Sequence, residues 1–399
     1  MKTILFCVAS VVTLFTTLDR AFAQGWTLSS PTPFGPYAVA SSADGVELVA
    51  AQLHGETLYT STNSGETWTL NTPSSVDGFL GVASSADGSV LAAVGGADPV
   101  YTSTNSGATW TSNSLPGYPG AANWISVAAS ADGTKLMVAG GYGPIYTSTN
   151  SGVIWMSNST PNEDYWVSIA CSADATKLAL MGGDGLIYTS TNSGATWMLS
   201  TNLPSPTADD ACSVVSSANG CKLAVADYGH GIYTSTNAGV AWAATSELPN
   251  NWTSVASSAD GCKLVGATGG YVFDETGEGT IYTSTSAGAT WLSNSVPNAD
   301  WDSVASSADG TVLFVSGSLG VYRSQTILGP QINISPESGN LLLSWIVPST
   351  NFVLQQNSDL TTTNWTMVTN MPVLNLTNLQ NEVNLPLPVG SQFYRLQIH

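Results

Sequence analysis

A ten-residue phrase recurs along this chain at nearly constant spacing. Tyr101 to Trp110 reads YTSTNSGATW, and near copies begin at Tyr59, Tyr146, Tyr188, Tyr233 and Tyr282. The tryptophans that close the copies are Trp68, Trp110, Trp155, Trp197, Trp242 and Trp291, separated in turn by 42, 45, 42, 45 and 49 residues. A period of this size indicates an array in which each repeat is one small structural unit.

Each repeat is built from four short runs that are typical of strands. In one copy the run WTSVASS, from Trp252, leads to the turn Ala259-Asp260-Gly261, and the runs CKLVGAT and TIYTST follow. A fourth run begins at Trp291, after a second turn. Four strands per unit with turn residues between them predict the blade of an all-β β-propeller.

The number of first strands predicts a ring of seven blades. Their signature ends at Gly45, Gly88, Gly133, Ala175, Gly220, Gly261 and Gly310, whereas the ten-residue phrase is complete only six times. The last repeat has a third strand at residues 320–324 but no tryptophan strand after it. Residues 25–28 supply the match, since Trp26 lies 42 residues before Trp68. We therefore expect the N-terminal strand to complete the last blade over residues 24–325, which removes an exposed sheet edge.

The turn between the third and fourth strands has a recognisable pattern. Ser61, Asn63, Gly65, Thr67 and Trp68 occupy the places of S-x-D-x-G-x-T-W. The chain thus resembles proteins with the Asp-box, or bacterial neuraminidase (BNR) repeat, which form sialidase-like propellers. Asparagine holds the aspartate place in five copies and serine in the sixth, and asparagine still bonds turn amides. The resemblance implies that the box is a peripheral structural turn and that its tryptophans, with Trp26, pack between neighbouring sheets.

The two ends of the chain predict separate segments. Residues 1–23 combine Lys2 at the start, an apolar run and the small-x-small site Ala21-Phe22-Ala23. This pattern is typical of a cleaved secretory signal, and the run is too short to span a membrane. We expect cleavage near Ala23 and a secreted or cell-surface protein.

Residues 326–330 read as a linker, and residues 331–399 predict a small β-sandwich. Four alternating runs, LLLSWIV, FVLQQ, WTMVT and QFYRLQI, recur within this segment. The segment resembles the fibronectin-III-like modules at the C-termini of exported bacterial proteins. That resemblance implies a role in attachment or sorting.

The charge of the chain restricts its partners. The formal net charge is −19, and it becomes about −20 when the signal segment is removed. A surface so poor in cations cannot neutralise phosphates, which excludes nucleic acid and anionic membranes as partners. Cations, basic proteins and neutral glycans stay open as ligands.

The cysteines leave two interpretations open. Once the signal is cleaved, Cys171, Cys212, Cys221 and Cys262 remain, and an even number in an exported protein permits disulfides. Cys221 and Cys262 occupy equivalent positions in consecutive repeats, whereas Cys171 and Cys212 lie in first strands. Four free thiols are the alternative.

The sequence excludes one enzyme class and leaves another. A sialidase is expected to hold its sugar carboxylate with three arginines, but the predicted propeller has only Arg323. Xyloglucan-cleaving glycosidases on similar blades need only two carboxylates. The recurrent acids of the first turn, such as Asp44 and Asp87, are interpreted as turn formers because a catalytic group must break the repeat symmetry.

The residues that break the symmetry are the candidate binding residues. The longest excursion, residues 269–279, carries Tyr271, Phe273, Asp274, Glu275 and Glu278. The other candidates are Asp164, Asp209, Asp210 and His230, with neighbours His54, Gly55, Glu56, Tyr142, Glu163, Tyr165, Asp184, Tyr228 and Gly229. Aromatic rings beside carboxylates suit glycan stacking or calcium binding, and solvated loops are the alternative.

These features together predict an exported, seven-bladed binding or scaffold propeller for glycan or protein ligands. No cofactor is expected apart from calcium. The photosystem II stability and assembly factor is similar in repeat and implies a basic patch, which this sequence lacks. The competing hypothesis is a glycoside hydrolase with its acids among Asp164, Asp209, Asp210, Asp274 and Glu275.

Overall fold

The computed structural model describes most of the chain. The ranges are 6–7, 25–30, 35, 37–52, 57–71, 73, 78–96, 99–116, 123–141, 143–160, 165–200, 211–227, 230–245, 251–269, 279–325, 332–337, 340–346, 352–359, 362, 364–388 and 392–398. Two compact units divide the chain. One comprises Gln24–Thr326 with Leu376–Leu379, and the other comprises Met1–Ala23, Ile327–Asn375 and Gln380–His399. The predicted linker at residues 326–330 lies outside the described ranges and stays a prediction.

All regular structure in the described residues is β-strand. In chain order the strands begin with β1 (Phe6–Cys7), β2 (Trp26–Ser30), β3 (Ala38–Ser41), β4 (Leu48–Ala51), β5 (Leu58–Ser61), β6 (Thr69–Leu70), β7 (Gly81–Ser84), β8 (Leu91–Val94), β9 (Val100–Ser103), β10 (Thr111–Asn113), β11 (Trp124–Ala129) and β12 (Leu136–Gly140). Next come β13 (Ile145–Ser148), β14 (Trp155–Asn158), β15 (Trp166–Cys171), β16 (Leu178–Gly182), β17 (Ile187–Ser190), β18 (Met198–Leu199), β19 (Ala211–Ser216), β20 (Leu223–Asp227), β21 (Gly231–Ser235), β22 (Ala243–Ala244), β23 (Trp252–Ser257) and β24 (Leu264–Thr268). The last are β25 (Gly279–Ser284), β26 (Leu292–Ala299), β27 (Trp301–Ser306), β28 (Val312–Gly317), β29 (Gly320–Gln325), β30 (Asn333–Glu337), β31 (Asn340–Ile346), β32 (Phe352–Asn357), β33 (Thr366–Met367), β34 (Val373–Asn375), β35 (Gln380–Pro386) and β36 (Phe393–Ile398).

In its described residues the larger unit contains seven antiparallel four-stranded sheets. Six consist of consecutive strands, β3–β6, β7–β10, β11–β14, β15–β18, β19–β22 and β23–β26. The seventh has the order β27-β28-β29-β2, so the N-terminal strand supplies its outer member. In that pairing Trp26 lies opposite Ser324 and Leu28 lies opposite Tyr322. The prediction that the N-terminal strand completes the last blade is therefore confirmed.

The seven sheets form a closed ring. First strands of successive sheets contact one another, and β27 of the seventh sheet contacts β3 of the first. A cycle of backbone hydrogen bonds follows the same path at the turn that ends each first strand. The amide of Ala43 donates to the carbonyl of Ala86, and each amide then donates to the carbonyl of the next residue of the cycle, with N to O distances of 2.7 or 2.8 Å. The residues in order are Ala43, Ala86, Ala131, Ala173, Ala218, Ala259 and Ala308, and the last donates back to Ala43.

The apolar cores lie between adjacent sheets. Trp68 packs with Val39 of the first sheet and Phe314 of the seventh, and Trp26 packs against Val265 and Val315 of the sixth and seventh. The other five box tryptophans occupy the same place at the remaining seams. The predicted packing of these tryptophans is confirmed, and burying their apolar surface contributes roughly 2–3 kcal/mol each.

A second set of tryptophans fills four of the seven seams. Trp124, Trp166, Trp252 and Trp301 open their first strands and are almost completely buried. Each meets the third-strand tyrosine of its own sheet at centroid distances of 5.3–5.7 Å, mostly edge to face. Such pairs add about 0.5–1.5 kcal/mol to the burial of the rings. The repeat pattern alone predicted no role for these tryptophans.

The part of the smaller unit that the structure describes contains two four-stranded sheets, ordered β30-β31-β35-β34 and β1-β36-β32-β33. Leu343, Trp345 and Val383 of one sheet share a buried cluster with Leu354 and Tyr394 of the other, which is the arrangement of a sandwich. Strand β1 belongs to the predicted signal, so its pairing with β36 concerns the uncleaved chain. Among the described residues, no helix has the length and apolarity that a membrane span needs.

Candidate binding face of the ring

The two ends of each sheet carry different connections. The amide of Ser64, in the turn after the third strand, donates to the carbonyl of Val46, in the turn after the first strand, and the second to sixth sheets repeat this bond. These two kinds of turn therefore share one end of the ring, which we call the box end. Connections from second to third strands and from sheet to sheet belong to the opposite end, which we call the loop end.

The first turn of the box end is held by an acidic side chain. Asp174 accepts hydrogen bonds from the Ser172 hydroxyl at 2.6 Å and the Thr176 amide at 3.0 Å. Burial acts to raise the pKa of Asp174, but these bonds and the charge of Lys135 outweigh it and lower the pKa. Equivalent bonds are made by Asp44, Asp87, Asp132, Asn219, Asp260 and Asp309. These residues are turn formers, as predicted.

The box turn is built in the same repetitive way. Asn63 Oδ1 accepts from the Ser61 hydroxyl and from the Thr67 amide, both at 2.9 Å, and Nδ2 donates to the Thr67 hydroxyl. Gly65 has φ +82°, and the preceding Ser64 has φ +56°. Asparagine thus performs the turn-forming role that the pattern gives to aspartate. The box has no feature of a ligand site.

Most of the predicted binding residues lie outside the described residues. They are Tyr271, Phe273, Asp274, Glu275, Glu278, Asp164, Asp209 and Asp210, with His54, Gly55, Glu56, Tyr142, Glu163, Tyr228 and Gly229. Their positions in the chain assign them to the loop-end connections, but their role in binding stays a prediction. His230, Asp184 and Tyr165 are described. Asp184 forms its own turn, since its Oδ1 accepts from the Leu186 amide at 2.9 Å.

His230 lies beside a buried acid that the sequence analysis missed. Its Nδ1 is 3.6 Å from Oδ1 of Asp227, whose side chain is 4% exposed against 30% for the histidine. Burial and the Asp227 charge raise the pKa of the nearby Tyr233. The loop end of the fifth sheet therefore combines a buried carboxylate with a partly exposed imidazole.

The strand register shows how Asp227 departs from the other sheets. Three other sheets pair a first-strand tryptophan with a second-strand glycine, as in Trp166 with Gly182 and Trp301 with Gly317, whereas the sixth pairs Trp252 with Thr268. In the fifth sheet the same register pairs Ala211 with Asp227. The sequence contains an acid at a position where three other repeats have glycine, but this can be recognised only once the strand register is known.

A second acidic feature lies where the chain enters the seventh sheet. Burial, with the nearby charge of Asp300, raises the pKa of Asp302 to about 7. Asp302 lies on the first strand of its sheet, directly after the buried Trp301. The stem of the long excursion is anchored in the sixth sheet, where the Thr280 amide donates to the Thr268 hydroxyl at 2.9 Å.

Comparison with known proteins supports the fold. No family model matches this sequence, and no curated protein matches it. The structure of YCF48 bound to D1 peptide has a TM-score of 0.56 at 17% identity and covers 77% of this chain and 98% of its own. YCF48 from Cyanidioschyzon merolae gives 0.55 at 17% identity, with 75% and 98% covered. A GH74 xyloglucanase from Xanthomonas campestris gives 0.59 at 15% identity and covers 81% of this chain, which spans 59% of that one.

The chain folds as a β-propeller. The all-β class predicted from the repeat is thereby confirmed. Identities of 15–17% show the fold alone, so membership of the Asp-box family and the kinship of the C-terminal module stay predictions.

The segments that the chain order assigns to the loop end are acidic in sequence and contain no lysine or arginine. More than half of the 27 acidic residues lie in the loop-end segments or at the end of β20. They are Glu56, Asp77, Asp98, Glu163, Asp164, Asp184, Asp209, Asp210, Asp227, Glu247, Asp274, Glu275, Glu278 and Asp300. The propeller lysines all precede second strands at the box end, and Arg323 lies within β29. Within the described ranges no cluster of three or more metal-binding side chains is present.

Proposed function

We propose that this chain is an exported, non-enzymatic propeller that binds a basic peptide or protein segment at its loop end. The observation that supports the proposal is the sequence of the segments assigned to that end, in which Asp and Glu are numerous and Lys and Arg do not occur. Such a surface attracts cationic partners and excludes anionic ones. The similar fold of YCF48 bound to D1 peptide supports a peptide as the ligand class.

The Asp227 and His230 pair is the described part of the proposed site. Its carboxylate is buried while the imidazole is partly exposed, so a ligand ammonium or guanidinium group reaching this point gains attraction in a poorly hydrated setting. Charges elsewhere on the loop end add long-range steering that salt screens.

Fluorescence anisotropy with two labelled peptides of equal length, one rich in lysine and one rich in glutamate, tests the proposal. We expect only the lysine-rich peptide to bind, and its Kd to rise several-fold between low and physiological salt. Asp227→Asn should weaken binding by roughly 3- to 10-fold, whereas Glu66→Gln, which removes an exposed charge at the box end, should leave it unchanged. Equal affinity for both peptides, or equal loss in both variants, would refute the site.

A glycan ligand is the competing class within the same function. A glycan array with and without calcium would detect it, and replacing Tyr271 and Phe273 by Ala should then abolish binding. Unchanged binding after that replacement would exclude the long excursion as the glycan site.

Glycoside hydrolysis is the second candidate function, because the GH74 xyloglucanase shares the fold. That activity would need two carboxylates flanking a sugar bond, among Asp164, Asp209, Asp210, Asp274 and Glu275. The test is whether the protein releases reducing sugar from xyloglucan and whether the corresponding Asn and Gln variants lose that activity. Such a result would support the enzymatic function in place of the binding function.

A further inference from the structure

The four propeller lysines staple neighbouring blades. Lys135, Lys177, Lys222 and Lys263 each directly precede the second strand of their sheet. Lys135 Nζ donates to the carbonyl of Asp174 in the next blade at 2.8 Å, and Lys263 Nζ donates to that of Asp309 at 2.7 Å. Each ammonium therefore reaches across a seam to the first turn of its neighbour.

Two of these seams contain a cysteine beside the lysine. Cys221 and Cys262 follow the glycine of the first turn, at the place that Thr176 and Thr311 occupy in the other two stapled turns. Lys222 Nζ lies 2.9 Å from Cys262 Sγ, and Lys177 Nζ lies 3.2 Å from Cys221 Sγ. Both cysteines carry free thiols and are partly exposed, and Cys171 is also free. The described thiols thus follow the free-thiol alternative, while the side chain of Cys212 lies outside the description.

We propose that dioxygen converts the contact between Lys222 and Cys262 into a covalent bridge through one oxygen atom, Nζ–O–Sγ. Two independent facts lead to this site, namely the short contact and its repetition at the neighbouring seam of Lys177 and Cys221. The 2.9 Å separation is close to the span of such a bridge. A direct nitrogen–sulfur bond would require a much closer approach of the two atoms.

The reaction balances with dioxygen as the only oxidant. The S–H bond, two N–H bonds of the ammonium group and the O–O bond break. One S–O bond, one O–N bond and the two O–H bonds of water form. Starting from the thiol and the neutral amine, one thiol hydrogen and one amine hydrogen leave in water with the second oxygen atom, and the ammonium's extra proton goes to solvent. Sulfur and nitrogen each lose two electrons, and dioxygen accepts all four. The product joins two blades whose linked residues are about 40 apart in sequence, which restricts the unfolded chain as a disulfide does.

Peptide mapping of the full chain tests the bridge directly. One sample is kept under air at mildly alkaline pH, and the other is kept anaerobic with a thiol reductant. Only the aerobic digest should contain a joined peptide of the segments bearing Lys222 and Cys262, heavier than their sum by one oxygen and lighter by two hydrogens. Reduction should separate the segments and lower the Tm by roughly 5 °C.

Variants taken from the chain's own repeats supply the controls. Cys262→Thr copies Thr176 and Thr311, and Lys222→Val copies Val312 at the equivalent position of the seventh blade. Each should abolish the joined peptide and the effect of reductant on Tm, while the variants remain folded. Recovery of Cys262 from the aerobic sample only as thiol, sulfenic acid or sulfinic acid, with no joined peptide, would overturn the proposal.

Discussion

Single residues in this protein act through repetition. Asn63 makes the same bonds in its box as Asn105 and Asn192 make in theirs, because each faces an equivalent serine and threonine. The sequence predicted this role, since a residue type that recurs at one place in every repeat serves the repeat. Residues that occur once, such as Asp227, carry no such signal, and their environment had to be seen.

Asn63→Ala should lower the free energy of unfolding by roughly 1–2 kcal/mol, because the Thr67 amide and the Ser61 hydroxyl both lose their acceptor. Asn63→Asp keeps that acceptor and should cost less than half as much. Urea denaturation of the two variants checks the difference, and equal losses would show that the donated bond to Thr67 matters most.

Asp302 should make stability depend on pH. Its folded-state pKa of about 7 lies above the ordinary value of 3.8. The contribution of the protonated carboxyl to the free energy of unfolding is therefore fully present below about pH 4 and is lost as the pH rises towards 7. Asp302→Asn should therefore be more stable than the natural protein by roughly 3 kcal/mol near pH 8, with little difference near pH 4. Urea denaturation at both pH values measures this, and a gap independent of pH would contradict the assignment to ionisation.

At the scale of elements, the closing strand was predictable and the inner tryptophans were not. Trp26 could be placed because its spacing to Trp68 continues the repeat and because the last blade lacked one strand. Trp166 and Trp301 stand at the start of their first strands, but Phe79 and Ala211 occupy the equivalent position in other repeats. No single residue type therefore marks that position. The loop end could be located but not described in detail, because its segments differ from blade to blade.

Deleting residues 25–30 should destabilise the propeller far more than losing the tryptophan they contain. The deletion exposes the edge of β29 as well as removing the packing of Trp26. Trp26→Ala and Trp68→Ala should each cost about 3–5 kcal/mol and keep the elution volume of the natural protein. Thermal melting and size-exclusion chromatography separate the cases, with aggregation expected for the deletion alone. A monomeric deletion variant as stable as Trp26→Ala would show that closure contributes little.

At the scale of the whole molecule, the ring should tolerate a change in chain order that keeps its strands. A permutant in which residues 25–30 follow Gln325 through a short flexible linker retains the pairing of Trp26 with Ser324. We expect its Tm to stay within about 5 °C of the natural protein, since only loop entropy changes. A permutant that melts like the deletion variant would show that the N-terminal position of this strand is essential.

The cycle of alanine hydrogen bonds gives the ring a sense of rotation. Every amide points the same way around the axis, so the bond dipoles circulate and cancel instead of adding up as they do along a helix. A circuit of this kind has no first or last member, and none of its groups needs a cap. Breaking any one of these hydrogen bonds would leave one amide donor and one carbonyl acceptor without a partner. The cost should therefore be the same at each of the seven seams.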